Sequence, residues 1–122
     1  MSLTMTYEVR NWEAGPYAHV VTASGELDFN AAPVLRETLI RLADLGRLDL
    51  VVDMSDATFV DSTVIGVLIG RLKALRGAGG SLRVVCQNEN VLRTFEVAGI
   101  QRAFVTHGTL PEALAAAAGD VR

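Results

Sequence analysis

Two short apolar runs constrain this chain most. Leu48 to Met54 is nearly all apolar, with Leu50, Val51 and Val52 in succession, and Leu82 to Cys86 is a second such run. A strand that is apolar at consecutive positions buries both faces, as strands inside parallel sheets do. Parallel neighbours need a long crossover between them, and such crossovers are right-handed. A helix-length segment lies between the two runs, so the pair predicts a sheet with a parallel centre.

The flanking segments extend this pattern. Tyr7 to Arg10 alternates weakly, Trp12 to Pro16 reads as a turn marked by Gly15-Pro16, and Tyr17 to Ser24 is rich in Val and Thr. Together they predict an opening hairpin. Val34, Leu35, Leu39, Leu42 and Leu45 then follow helical spacing, with Asp28 or Asn30 as N-cap and Gly46 as C-terminal cap. Ser55 to Thr58 reads as a turn, and Phe59 and Val60 lead into a second helix that ends at Gly77, Gly79 and Gly80. Asn88 or Asn90 caps a third helix carrying Val91, Leu92, Phe95 and Ala98, stopped by Gly99. Ala103 to Thr106 is a short strand. Thr109-Leu110-Pro111-Glu112 is a capping box with Pro in the first turn, opening a last helix through Ala113 to Ala118. The expected class is α/β: a mixed central sheet with parallel core strands and about four helices, with functional loops where strands end and helices begin.

The second helix carries the most informative residues. Asp61, Ser62 and Thr63 stand at its start, and Gly66 and Gly70 lie inside it. Each mid-helix glycine costs about 1 kcal/mol relative to Ala, so local physics opposes both. With Ser62 at zero and a rotation of about 100° per residue, the centroid of Val64, Ile65, Val67, Leu68, Ile69, Leu72 and Leu75 falls near about 240°. Gly66, Gly70, Lys73 and Gly77 fall on the opposite side, headed by Ser62 and Thr63. Such a strip either lets a neighbouring helix of the same chain approach closely or receives a partner's backbone. Its calculated outward direction favours the partner. Ser62 reads either as an ordinary N-cap or as a phosphorylation site. A phosphate there adds about −1.5 to −2 charge at a helix N-terminus, where dipole and amides tolerate it. A docked partner would instead have to desolvate that charge beside Asp61.

Composition excludes several function classes. The chain has 122 residues, enough for one domain with one sizeable core; residues 1–122 are read as that domain, with an ordered part of about 5–118. Its net charge of −3 gives no electrostatic reason to expect direct nucleic-acid binding or an anionic membrane as partner. The basic residues Arg71, Lys73, Arg76, Arg83 and Arg93 are scattered, which reads as solvated surface. The single cysteine, Cys86, fits a reducing cytosol and reads as a small buried hydrophobe. No apolar run approaches the roughly 20 residues of a membrane span, and no signal peptide is visible. His19 reads as structural within an apolar strand, and His107, before Gly108, as a solvated loop residue. Neither makes a metal-ligand spacing with Cys86, and there is no nucleophile elbow or Walker loop. Neither an enzyme nor a cofactor is indicated.

Four motifs, in order and at the right spacing, resemble the STAS-domain anti-sigma factor antagonists of bacterial sporulation and stress-response pathways. They are Gly25-Glu26-Leu27-Asp28, then Phe59-Val60-Asp61-Ser62-Thr63 with Ile65-Gly66-Val67, then Gly79-Gly80 with Leu82 to Cys86, then Val91 to Ile100. The resemblance covers nearly the whole chain. It implies a cytoplasmic, non-enzymatic protein that, unphosphorylated, binds an anti-sigma factor kinase with a histidine-kinase-like ATPase fold and so releases a sigma factor. It further implies that the kinase phosphorylates Ser62, with Thr63 as alternative acceptor, and that a metal-dependent serine phosphatase reverses this. Asp28, Asp61, Thr63, Gly66, Gly70 and Lys73 would form the partner-binding face. One position departs from the family: Val64 stands where Gly usually follows the hydroxyl pair, and an added isopropyl group at a docking face would weaken or redirect kinase contact. Related domains also serve as non-switching interaction subunits of signalling scaffolds or phospholipid-transport complexes. In that alternative Ser62 is a plain cap.

Overall fold

A computed structural model describes residues 6–15, 18–100 and 102–119. In chain order the elements are β1 (Tyr7–Glu13), β2 (His19–Leu27), α1 (Ala31–Asp44), β3 (Asp49–Asp53), β4 (Ala57–Val60), α2 (Ser62–Gly77), β5 (Ser81–Val85), α3 (Glu89–Val97), β6 (Val105–His107) and α4 (Leu110–Gly119). The turn expected from Trp12 to Pro16 starts later, because Trp12 and Glu13 still pair with β2 as the end of β1, and Pro16 and the expected strand start at Tyr17 lie outside the described residues.

The strands form one mixed sheet in the order β1-β2-β3-β5-β6, with β4 also paired to β2. β1 and β2 are an antiparallel pair, with Trp12 opposite Val20 and Val9 opposite Ala23. All other pairings are parallel. Residue alternation divides the apolar strands between two cores. Leu50, Val52, Leu82 and Val84 point to the face covered by α1, α2 and α3, where Leu35, Leu39, Leu68, Leu72 and Phe95 meet them. Val20, Val51 and Val85 point to the other face and meet Ala113 and Ala117 of α4. The unbroken apolarity of β3 thus reflects burial on both sides.

Three helices end in the same way. Gly46, Gly79 and Gly99 follow α1, α2 and α3 with φ of 83°, 84° and 73°. The next residue then returns its N–H to a carbonyl in the last turn: Arg47 to Leu42, Gly80 to Leu75 and Ile100 to Phe95. This is the Schellman arrangement that a left-handed glycine permits. Gly80 has a second reason to be glycine, because a Cβ there would collide with the Leu48 carbonyl at the edge of β3.

Four further sequence expectations are corrected. Ala57–Val60 is strand β4, parallel to the end of β2, where a turn and a helix approach were expected. Val34, Leu45 and Ala98 follow the apolar spacing yet are exposed, because Val34 lies off the packed face of α1 and the other two sit at helix C-caps. Arg83 is only 7 % exposed, inside β5, where scattered basic residues were expected on the surface. His107 is the half-buried last residue of β6, with its Nε2 3.3 Å from Arg83 Nη1, where a solvated loop residue was expected. The guanidinium is the donor in that pair, so Nε2 is the acceptor.

Candidate functional site

The site is built where β2 and β4 end side by side. Leu27 pairs with Val60, so the residues that follow, Asp28 and Asp61, leave the sheet at the same edge. The Asp61 N–H donates to the Leu27 carbonyl at 2.9 Å, tying the start of α2 to the end of β2. Asp28 is fixed by the helix it precedes. Its Oδ1 accepts from the N–H groups of Asn30 at 2.9 Å and Ala31 at 3.3 Å. Asn30 makes no side-chain capping bond, so of the two expected caps Asp28 performs the work.

At α2 the cap is Asp61. Its Oδ1 accepts from the Thr63 N–H at 2.8 Å and from Thr63 Oγ1 at 3.0 Å. These bonds, the backbone one first, hold its carboxyl below the ordinary carboxylate value and keep it ionised at neutral pH. Ser62 is the first residue of the helix, not its cap. Its Oγ lies 3.4 Å from Asp61 Oδ1, long for a hydroxyl hydrogen bond. The reading of Ser62 as a plain N-cap is therefore corrected. Its hydroxyl is exposed and loosely held, whereas that of Thr63 is engaged.

Below the hydroxyls runs the glycine strip. Gly66, Gly70, Lys73 and Gly77 are exposed. A Cβ built on Gly66, Gly70 or Gly77 would meet nothing within 4 Å. Among the described residues, no neighbouring helix needs those glycines, which removes the internal-packing reading. Val64 faces the other way and is completely buried with Ile65, Leu68 and Leu72. Its isopropyl group fills core and is not presented at the strip, so the expectation that it alters docking by direct contact is corrected.

Arg36 joins the site only through packing of α1 against α2, which sequence spacing does not reveal. With Thr63, Gly66, Val67, Gly70 and Arg71 it lines an open cleft of about 440 Å³ between the two helices. Phe29, beside Asp28, is 62 % exposed and adds apolar surface to the same loop. Among the described residues, no group of three His, Cys, Asp or Glu side chains could hold a metal ion, and no helix is long and apolar enough to cross a membrane. Burial pushes the Cys86 thiol up, consistent with a small apolar role.

The chain matches the STAS domain family over residues 13–113. It is 40 % identical over 81 residues to the anti-sigma-B factor antagonist of Bacillus subtilis strain 168, spanning 66 % of this chain and 73 % of that protein. The anti-sigma-B factor antagonist of Staphylococcus epidermidis is 32 % identical over 81 residues, covering 66 % and 75 %. Among solved structures, an anti-sigma factor antagonist from Mycobacterium paratuberculosis superposes with a TM-score of 0.85 at 24 % identity, over 97 % of this chain and 99 % of the other. That likeness establishes the fold. Together with the four motifs now placed on the sheet and the helices that cover it, these matches make the chain a STAS-domain protein of the anti-sigma factor antagonist family.

Proposed function

We propose that this protein, when unphosphorylated, binds an anti-sigma factor serine kinase through the exposed face of α2 and so releases a sigma factor. Phosphorylation of Ser62 by that kinase ends the interaction, and a metal-dependent serine phosphatase restores it. The kinase has a histidine-kinase-like ATPase fold, an assignment that rests on the family resemblance. Asp28, Asp61, Thr63, Gly66, Gly70 and Lys73 form the docking face.

The observation that carries this reading is the exposed Ser62 hydroxyl at the head of an exposed strip without side chains. In the transfer, Ser62 Oγ forms a bond to the γ-phosphorus of ATP as the bond to the β,γ-bridging oxygen breaks. ADP leaves and the hydroxyl proton is lost to solvent or a kinase base. The loose 3.4 Å contact to Asp61 leaves Ser62 Oγ available, while Thr63 Oγ1 is held at 3.0 Å. This supports Ser62 over Thr63 as acceptor. The phosphate would then stand beside an ionised Asp61 on a surface that docking must dry. Burying such a charge unpaired costs an interface about 2–5 kcal/mol, or roughly thirtyfold or more in affinity. The fold survives, because the helix N-terminus tolerates the anion.

Affinity capture from the native organism, with wild-type, Ser62→Ala and Ser62→Asp baits, tests this. A histidine-kinase-like ATPase protein retained by the first two baits and lost by the third is the expected result. Equal capture of a scaffold or transporter subunit by all three would replace it with the non-switching alternative. Mass-spectrometric mapping after incubation with kinase and ATP should find phosphate on Thr63→Val at Ser62 and none on Ser62→Ala.

A further inference from the structure

α2 contains no acidic residue, yet carries Arg71, Lys73 and Arg76 in its second half. Arg36 reaches the same cleft from α1. Among the described residues the ion pairs are Arg10 with Glu8 and Arg47 with Glu13, so neither Arg36 nor Arg71 is neutralised by a carboxylate. Arg71 is half-buried, and its Nε is shielded from solvent with no hydrogen-bond partner. A shielded donor without an acceptor costs free energy, and a native structure keeps one where something else satisfies it. The opposite end of the helix has the opposite sign, with Asp61 beside Ser62 and Asp28 leaving the sheet at the same edge. The cleft and the start of α2 therefore carry opposite charge. From Ser62 to Arg71 is nine residues, about 13–14 Å along the helix axis and about two and a half turns, so Arg71 reaches the cleft from the side of the strip and not from its crest.

We infer that the cleft between α1 and α2 is a carboxylate receptor: an Asp or Glu side chain of the docked anti-sigma kinase seats between Arg36 and Arg71. This deepens the proposed function and rests on it for the identity of the partner. The guanidinium fork matches a carboxylate bidentately, and the absent side chains at Gly66 and Gly70 let the partner's backbone come close enough to deliver one. Charge complementarity then sets the direction of docking. The partner's cationic groups face Asp28 and Asp61, and its carboxylate lies one cleft further along α2. A partner docked in reverse would set like charges against each other at both ends, which is how an interface rejects wrong registers.

The test is calorimetric titration of the purified kinase into wild-type, Arg36→Gln, Arg71→Gln and the double variant, at low and high salt. Each single variant should bind roughly tenfold more weakly, with a flatter salt dependence. An Asp- and Glu-to-Arg scan of the kinase should find one position that restores binding to Arg71→Glu. Wild-type affinity and salt slope in both single variants would overturn the receptor. Ser62→Asp in the same titration reads the phosphoswitch separately, so the two ideas can fail independently. A partner-free arm follows the Nε–Hε resonances of Arg36 and Arg71 as blocked triglutamate, blocked trilysine or inorganic phosphate is added. Saturable shifts with triglutamate, lost in the double variant, support the receptor. A response to phosphate alone, or to none of the three, overturns it.

Discussion

Asp61 joins three roles in one carboxylate: cap of α2, orienter of Thr63 and neighbour of the Ser62 hydroxyl. Asp61→Asn keeps an acceptor at the cap and should stay close to wild type in urea, whereas Asp61→Ala should unfold at lower urea. The carboxyl is held below its ordinary 3.8, so its contribution is complete above that value and is lost as pH falls through the lower folded-state value. The wild-type urea midpoint should therefore fall more steeply below pH 4 than that of Asp61→Asn. His107 acts in a different window. Burial first, then the Arg83 cation, lower its pKa from 6.5, against the opposing pull of Glu112. Its contribution is complete above 6.5 and is lost as pH falls through the lowered value. His19 is shifted the same way by burial, then by Arg47, against Glu13. The urea midpoint should decline from pH 7 towards pH 5, and less so in a His19→Gln/His107→Gln double variant. Asp61 and Ser62 were legible as a pair in the sequence. Which of them caps the helix was not, because both types cap well and only backbone geometry assigns the position.

At the scale of the element, α2 separates a buried apolar face from an exposed glycine strip. Val64 is buried, so Val64→Gly removes core contacts and adds backbone freedom; it should cost about 2–4 kcal/mol in denaturant unfolding. The glycine strip should behave oppositely. Gly66→Ala and Gly70→Ala place a methyl group in open space and should stabilise by up to about 1 kcal/mol. Gly70→Leu should fold and yet lose the kinase by calorimetry. A Gly70→Leu protein that binds normally would show that the strip is not the docking face. Helical spacing alone revealed the strip, because a wheel of apolar residues fixes the buried side and hence the exposed one. β4 escaped the same reasoning. It is four residues long, its two central residues Thr58 and Phe59 are exposed, and it shows no alternation. It is a strand because the end of β2 offers it a ladder, which is a tertiary fact.

Across the whole molecule, the two faces of the sheet are unequally covered. α1, α2 and α3 share a large core with the sheet, whereas α4 meets Val20, Val51 and Val85 through Ala113 and Ala117, with Leu110 and Leu114 only partly buried beside them. This second cluster is much smaller than the first, so α4 should open locally first. Hydrogen exchange should protect β2, β3 and β5 longest and release α4 amides earlier. Equal protection throughout would mean that α4 belongs to the global unfolding unit. The sequence by itself determined the alternation of strands and helices, the glycine stops, the doubly buried central strands and the outward face of α2. Those follow from local periodicity and from φ values that only glycine adopts readily. Only the tertiary structure decided that β4 is a strand, that Arg83 and His107 meet beneath α4, and that Arg36 faces α2 across a cleft. Each of these depends on which segments lie side by side, and contacts between distant segments are set by packing and chain crossover, not by the residues nearest in sequence.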